Sequence, residues 1–380
     1  MKRNLKITPV SDCKKRFLAR RRALLRAANR TKKVDAVYVT KRVDVSYLSG
    51  FSGEDSALLF NKNSSVLITD FRFGEQAPEE CPGTEICIRS RKSTLEDQAG
   101  KLARDRELKQ IGFQSTVLSF DRYSRLKKRL RGAKLTPLQD LLSDVRAVKD
   151  DEEIAQTRRA VEMAENAFLG LIKQGASYLI GKTERQIAAE METRIRDLGA
   201  DRAAFDMIVA AGPNGSMCHY APDDRKLQRG EALLIDWGAE TAGYRSDITR
   251  VVFVESVSDK MREIYEIVRT AHDAAVDAIR PGVACGTVDD HARSVIDNAG
   301  YGKEFGHGLG HGIGREIHEQ PRLFSASKTK LKKNMIITVE PGIYLPGVGG
   351  VRIEDDILVT ANGHERLNQL PRDLDSMVVH

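Results

Sequence analysis

Two aspartates and two glutamates interrupt strand sequences that are otherwise apolar, and nothing else in the chain narrows its fold as much. Asp236 lies in ALLIDWG and Asp247 in SDITRVVFV; Glu340 ends MIITVE and Glu354 lies in VRIED. An unpaired carboxylate inside a hydrophobic strand is costly, so each needs a partner or a cation. If AETAGY is a hairpin loop turning at Thr241–Ala242, beside Gly243, residues whose numbers sum to 483 face one another, and Asp236 faces Asp247. The second pair behaves alike: the midpoint of Glu340 and Glu354 is Gly347, inside the turn sequence LPGVGG. Arg352 shares a strand face with Glu354, whereas Val351 and Ile353 face the other way. Carboxylates side by side repel unless something positive sits between them.

The stretch EFGHGLGHGIGREIHEQP, residues Glu304 to Pro321, adds three of the eight histidines, His307, His311 and His318, among five glycines. No lysine follows in the manner of a phosphate-binding loop, which excludes that reading. Four carboxylates with one or more imidazoles form a mixed O/N donor set suited to divalent Mn, Co, Fe or Zn. With two ions ~3.5 Å apart, shared carboxylates bridge them and a trapped water ionises near neutral pH, which is equipment for hydrolysis.

At 380 residues two domains are expected. Strand and helix alternate through VDAVYVT, the hairpin SALLFN–SSVLITD, KQIGFQ and the basic helix DRYSRLKKRLRG, an α/β pattern. A long helix begins at VKDDEEI, with Asp150 or Asp151 as N-cap. The predicted domains are therefore 1–145 and 146–380, and the overall class is α/β (α+β). The second holds the helices TERQIAAEMETRIRDLGA, SDKMREIYEIVRTAHDAAVDAI and TVDDHARSVIDNAG among glycine-punctuated strands.

No apolar run approaches the ~20 residues of a membrane helix, and the start MKRNLKITPVSDCKK lacks the apolar core of a signal peptide. Five cysteines without a CxxC pair favour reduced thiols and a cytoplasmic setting. The first fifty residues carry a balance of +12, leaving −5 for the remainder. Without interleaved aromatic residues, this basic segment reads as a helix that packs Phe17, Leu18, Leu24 and Leu25 inward and turns its charges to water, not as a nucleic-acid site. Trp237 reads as core, and His272, His291, His364 and His380 as surface or helix residues.

The ordered set Asp236, Asp247, His311, Glu340, Glu354 resembles the ligands of the metallopeptidase family that contains methionine aminopeptidase, aminopeptidase P and prolidase. IDWGAETAGYRSDITR, HGIGREIHEQP and ITVEPGIYLPGVGGVRIEDDILVT look like its aspartate, histidine and glutamate motifs. YLSGFSG and LLFNKNSSVLITDFRFGEQA are similar to the N-terminal domain of prolidases and aminopeptidases P. The resemblance implies a C-terminal pita-bread catalytic domain behind a creatinase/prolidase-type N-terminal domain.

It further implies two divalent metal ions per subunit, Mn²⁺ first and Co²⁺, Zn²⁺ or Fe²⁺ as alternatives. Asp236 chelates one ion, Asp247 and Glu354 bridge both, and His311 and Glu340 complete the second. His219 and His307 contact substrate, His318 stabilises the tetrahedral intermediate, and Glu340 doubles as proton shuttle. Arg352, where methionine aminopeptidases place Gln, joins His307 in pointing to the proline-specific branch. The implied reaction is hydrolysis of Xaa–Pro bonds in small peptides by a hydroxide held between the metals, in a homodimer without membrane contact. Arg315, where an apolar residue is common, is expected to face water. Cys218, beside His219, is not expected to be a ligand. Two alternatives stand beside this reading: a non-catalytic binding or chaperone-like protein on the same fold, and a creatinase-type C–N hydrolase. Both characteristically lack the ligand set.

Overall fold

A computed structural model describes residues 10–139 and 141–380. Met1 to Pro9, within the stretch read for a leader, lie outside them. The chain separates into two compact units, Met1–Val145 and Arg146–His380. Among the described residues, no helix is long and apolar enough to cross a membrane.

The first unit is built on strands β1 (Ala36–Val39), β2 (Ala57–Asn61), β3 (Ser65–Thr69), β4 (Glu85–Ile88), β5 (Gln110–Phe113) and β6 (Lys134–Pro137), ordered β4-β3-β2-β1-β5-β6. The β2–β3 hairpin turns at Lys62–Asn63 as expected, with Asn61 Oδ1 accepting from the amides of Asn63 and Ser64. Alternate strand residues feed two layers. Leu58, Phe60 and Leu67 meet α1 (Val10–Thr31), α2 (Arg42–Ser49) and α3 (Gln76–Glu80), while Leu59, Val66 and Ile68 meet α4 (Leu95–Asp105) and α5 (Phe120–Leu130).

Helix α1 buries Phe17 and Leu24 and half-buries Leu18 and Leu25. Two of its basic residues depart from the expected solvent-facing arrangement. Arg20 and Arg21 are buried and donate to Tyr47 O (3.0 Å) and Leu48 O (2.7 Å) at the end of α2. Last-turn carbonyls lack partners within their own helix and attract cations, so the guanidiniums act as caps supplied from outside.

Helix α6 (Leu141–Ala147) lies at the unit boundary, followed by α7 (Asp151–Ile172), α8 (Ala176–Leu179), α9 (Glu184–Asp197), α10 (Asp259–Asp277) and α11 (Cys285–Asn298). Asp150 is the N-cap of α7, closing a reciprocal capping box with Glu153. One sheet, β20-β12-β9-β8, joins β8 (Ile208–Ala211), β9 (Ala232–Trp237), β12 (Ile248–Val254) and β20 (Val378–Val379). A second, β14-β13-β15-β18-β19, joins β13 (Gly310–Gly312), β14 (Glu319–Leu323), β15 (Ile336–Val339), β18 (Asp355–Val359) and β19 (His364–Arg366). Short ribbons complete the unit: β7 (Arg202–Ala203) with β10 (Ala239–Thr241) and β11 (Tyr244–Arg245), and β16 (Gly342–Leu345) with β17 (Gly349–Arg352). One core lies between β9, β12, α7 and α9, and another between β15, β18, α10 and α11. Trp237 belongs to the former, stacked 4.6 Å from Phe168 with its Nε1 donating to Ala164 O.

The register corrects one expectation and sharpens another. Paired residues of β9 and β12 sum to 485, so Asp236 faces Thr249, and Asp247 sits one residue before β12. The connection is itself a β10–β11 hairpin turning at Ala242–Gly243, whose φ values of 51° and 74° mark a turn left-handed at both positions. That turn moves the centre by one residue and leaves Asp247 diagonal to Asp236. Residues of β15–β18 and β16–β17 alike sum to 694, so Glu340 and Glu354 keep register where the two ladders meet. His272, read as a surface or helix residue, is a helix residue and not a surface one. On the inner face of α10 it is fully buried, with Nε2 3.3 Å from Asp355 Oδ2.

Candidate metal centre

The two larger sheets meet at the carboxylates. An isolated bridge joins Thr249 of β12 to Glu354: the Glu354 amide donates to Thr249 O (3.2 Å), and Thr249 Oγ1 donates to Glu354 Oε2 (2.7 Å). The Asp247 amide donates to Asp356 Oδ2 (3.1 Å), which fixes the backbone just before β12. Arg352, buried on β17, spans three groups. Its Nη2 lies 2.6 Å from Asp236 Oδ2, Nε 3.0 Å from Thr249 Oγ1, and Nη1 2.9 Å from Tyr344 OH. Tyr344 OH is in turn 3.0 Å from His307 Nε2.

His311 comes from β13, at a bulge between His311 and Gly312. Its Nδ1 is 3.1 Å from Gly312 O, a carbonyl that can only accept, so Nδ1 carries the proton. Nε2 then turns a lone pair toward Asp247 Oδ2 (3.6 Å) and Glu340 Oε1 (3.4 Å). A lone pair facing two carboxylates is unfavourable unless a cation lies between them.

All nine residues singled out in the sequence line one cavity of about 730 Å³: Asp236, Asp247, His219, His307, His311, His318, Glu340, Arg352 and Glu354. Asp247, His311 and Glu354 form the tightest group, each offering a ligand atom within 4.8 Å of the others. Asp236 and Glu340 stand beside that triangle. His318 is exposed at the cavity mouth, its ring edge-on to His311 at 4.5 Å, and His219 is exposed on the same cavity.

Charge makes the same demand as geometry. Burial first, then Glu354, Asp236 and Glu340, pushes the Asp247 carboxyl well above its ordinary range. Burial first, then Glu340 and Asp236, does the same to Glu354. Burial raises Asp236 against the pull of Arg352, and raises Glu340 to about 7. Burial and His318 lower His311 to about 3, so it is neutral at pH 7. Asp236 Oδ1 is buried without a hydrogen-bond partner among the described residues. Four carboxylates around one guanidinium and a neutral imidazole lack positive charge, and divalent cations fit that deficit.

Tyr344 and Arg322 are among the cavity residues that the sequence did not single out. Tyr344 could have been found, because a register of 694 places it diagonal to Arg352 on β16–β17. Arg322 pairs directly with His311 across β13–β14 and lines the cavity, a placement only the long-range strand pairing reveals. Arg315, expected in water, is half-buried with its guanidinium 5.1 Å from the Tyr244 ring, away from the cavity lining.

The pattern of metallopeptidase family M24 matches residues 155–361, and that of the creatinase/prolidase N-terminal domain matches residues 21–148. The Xaa-Pro dipeptidase of Pyrococcus furiosus is 37% identical over 343 residues, covering 90% of this chain and 95% of the relative. A Bacillus anthracis structure described as Xaa-Pro dipeptidase superposes with a TM-score of 0.88 at 35% identity, covering 96% of this chain and 99% of that one. The X-Pro aminopeptidase of Thermotoga maritima MSB8 gives 0.86 at 35% identity, covering 94% and 99%. Both domain matches and the relatives agree: this chain belongs to metallopeptidase family M24, with the creatinase/prolidase N-terminal domain ahead of its pita-bread catalytic domain.

Proposed function

We propose that the protein hydrolyses Xaa–Pro bonds of short peptides, holding two divalent ions with Asp236, Asp247, His311, Glu340 and Glu354. The observation that carries this reading is the convergence of Asp247, His311 and Glu354 within 4.8 Å. Relatives named as Xaa-Pro dipeptidase or X-Pro aminopeptidase support the substrate class. The oxygen-rich set with a single imidazole suits Mn²⁺. Bound there, the ions supply Lewis-acid polarisation of the scissile carbonyl and lower the pKa of water.

The chain's own groups do the rest. Glu340, a carboxylate on the cavity lining, takes a proton from the attacking water and returns it to the proline nitrogen. That nitrogen carries no hydrogen before cleavage, so this proton makes it a competent leaving amine. His318 donates to the developing oxyanion, a contribution of ~3 kcal/mol for a well-placed donor. His219 and His307 line the substrate side, and Arg352 orients Asp236 while holding Tyr344 against His307. The same reading takes the protein as a cytoplasmic homodimer, a setting that cysteines outside any disulfide suit.

Arg322 has no ion-pair partner among the described residues and offers a cation to the carboxylate of a dipeptide. Alanyl-proline is therefore expected to be hydrolysed faster than a tetrapeptide beginning Ala-Pro. Arg322→Met is expected to raise KM for the dipeptide roughly tenfold, an exposed charge-assisted pair lost, and to spare the tetrapeptide. Comparison of kcat/KM for both peptides checks this, and a wild-type preference for the tetrapeptide would contradict it.

A further inference from the structure

His318 is held in an unusual way. Among the described residues its ring makes no hydrogen bond; its ring contact is with His311, so its position follows from the backbone of the Gly314–Glu319 loop. That loop closes on the side chain next in sequence. Glu319 is buried, and its Oε1 accepts from the amides of Arg315 (2.9 Å) and Glu316 (3.1 Å). Two cations from the other end of the catalytic unit meet the same carboxylate. Lys149 Nζ lies 3.0 Å from Oε2, and Arg146 Nη2 is paired with Oε1, while Arg146 Nη1 holds Glu316 at 3.0 Å. All three principal side chains are almost wholly excluded from water, at 3%, 1% and 4% exposure for Arg146, Lys149 and Glu319.

We infer that Arg146 and Lys149 are positioning residues for His318, acting through Glu319. The inference rests on the role given to His318 above. The clamp is tied down on both sides. The Lys149 amide donates to Asn334 O (2.8 Å), and Asn334 Nδ2 returns a bond to Lys149 O (3.2 Å). On the loop side, the Arg245 amide donates to Gly314 O (2.9 Å), and Gly314 packs closely on the clamp: a Cβ there would lie 3.0 Å from Glu319 Oε2 and 3.1 Å from Lys149 Cε, so both would have to give way slightly. Glu319 is drawn down to about 2 by Lys149 and Arg146 despite its burial, so it stays ionised throughout the neutral range. Two positive and two negative groups balance, with Glu316 as the fourth. Ile317, partly buried, packs against the apolar cluster of Val161, Ile313, Ile336, Leu358 and Leu367 and gives the loop an apolar hold as well.

The combined variant Lys149→Met with Glu319→Gln tests this, because it keeps the charge balance while breaking the clamp. With alanyl-proline, kcat is expected to fall roughly 10–100-fold while KM changes less than about threefold, as for a misplaced catalytic group. Metal content and melting temperature are expected to stay near wild type. Lys149→Arg alone, which keeps the pair, is expected to keep kcat within about threefold. In a His318→Ala background the combined variant is expected to add no further loss. An equal loss in both backgrounds, or loss of metal in place of kcat, would overturn the inference. If His318→Ala alone leaves kcat unchanged, the role of His318 itself fails and this inference with it.

Discussion

Replacing Asp247 or Glu354 by alanine is expected to abolish metal binding and Xaa-Pro hydrolysis together. Both carboxylates sit within 4.8 Å of His311 and one another, so either change removes one third of the tightest donor group. The expected fall in kcat/KM is on the order of 10⁴-fold or more, roughly 5.5 kcal/mol of barrier. Fold loss does not account for it. Each carboxylate is raised by burial and by its acidic neighbours, so without bound cations its removal relieves repulsion. The chelated variants are therefore expected to melt at or above the chelated wild type, the usual opposition between a strained site and stability. Elemental analysis, calorimetry and a peptide assay on the same samples separate the two effects. Retained metal-dependent turnover in either variant would contradict the ligand assignment.

Stripping the metal is expected to reverse the pH dependence of stability. Glu340 titrates near 7 in the folded chain against ~4.3 when unfolded. Between these values the folded state holds more protons than the unfolded state, so this contribution is present below pH ~4 and is lost as pH rises through 7. Asp236, Asp247 and Glu354 are raised as well and act in the same direction. Glu319, drawn down to about 2, acts oppositely: its contribution is present above pH ~4 and lost as pH falls through 2. The chelated protein is thus expected to be most stable near pH ~5 and to lose melting temperature toward pH 8. Divalent cations displace the shared protons, so the stabilisation on adding Mn²⁺ is expected to be far larger at pH 8 than at pH 5. Melting curves with and without chelator at both values check this; a chelated protein that gains stability from pH 5 to pH 8 would contradict it.

The candidate site was largely legible in the sequence because the residues that line it are local punctuation in local patterns. An acid inside an apolar strand announces itself, and a hairpin centre can be counted. The count held for Glu340 and Glu354 because Gly347, with φ 76°, forms the turn that LPGVGG suggests. It slipped at Asp236 and Asp247 because Ala242 takes the left-handed conformation usually left to glycine, moving the turn by one residue. What stayed hidden depends on partners far along the chain. Arg20 and Arg21 read as surface charge until the end of α2 is placed against them. His272 read as a helix residue until Asp355 is found beside it. The Arg146–Lys149–Glu319 clamp joins residues 170 or more positions apart, beyond the reach of periodicity or motif spacing.

Elemental analysis of the purified protein, paired with alanyl-proline turnover before chelation, after chelation and after Mn²⁺ is restored, tests the central claim most directly. The expected result is two divalent ions per subunit, activity lost on chelation and regained with Mn²⁺. A protein that hydrolyses its substrate at full rate with no metal would contradict it and favour a metal-free C–N hydrolase on the same fold.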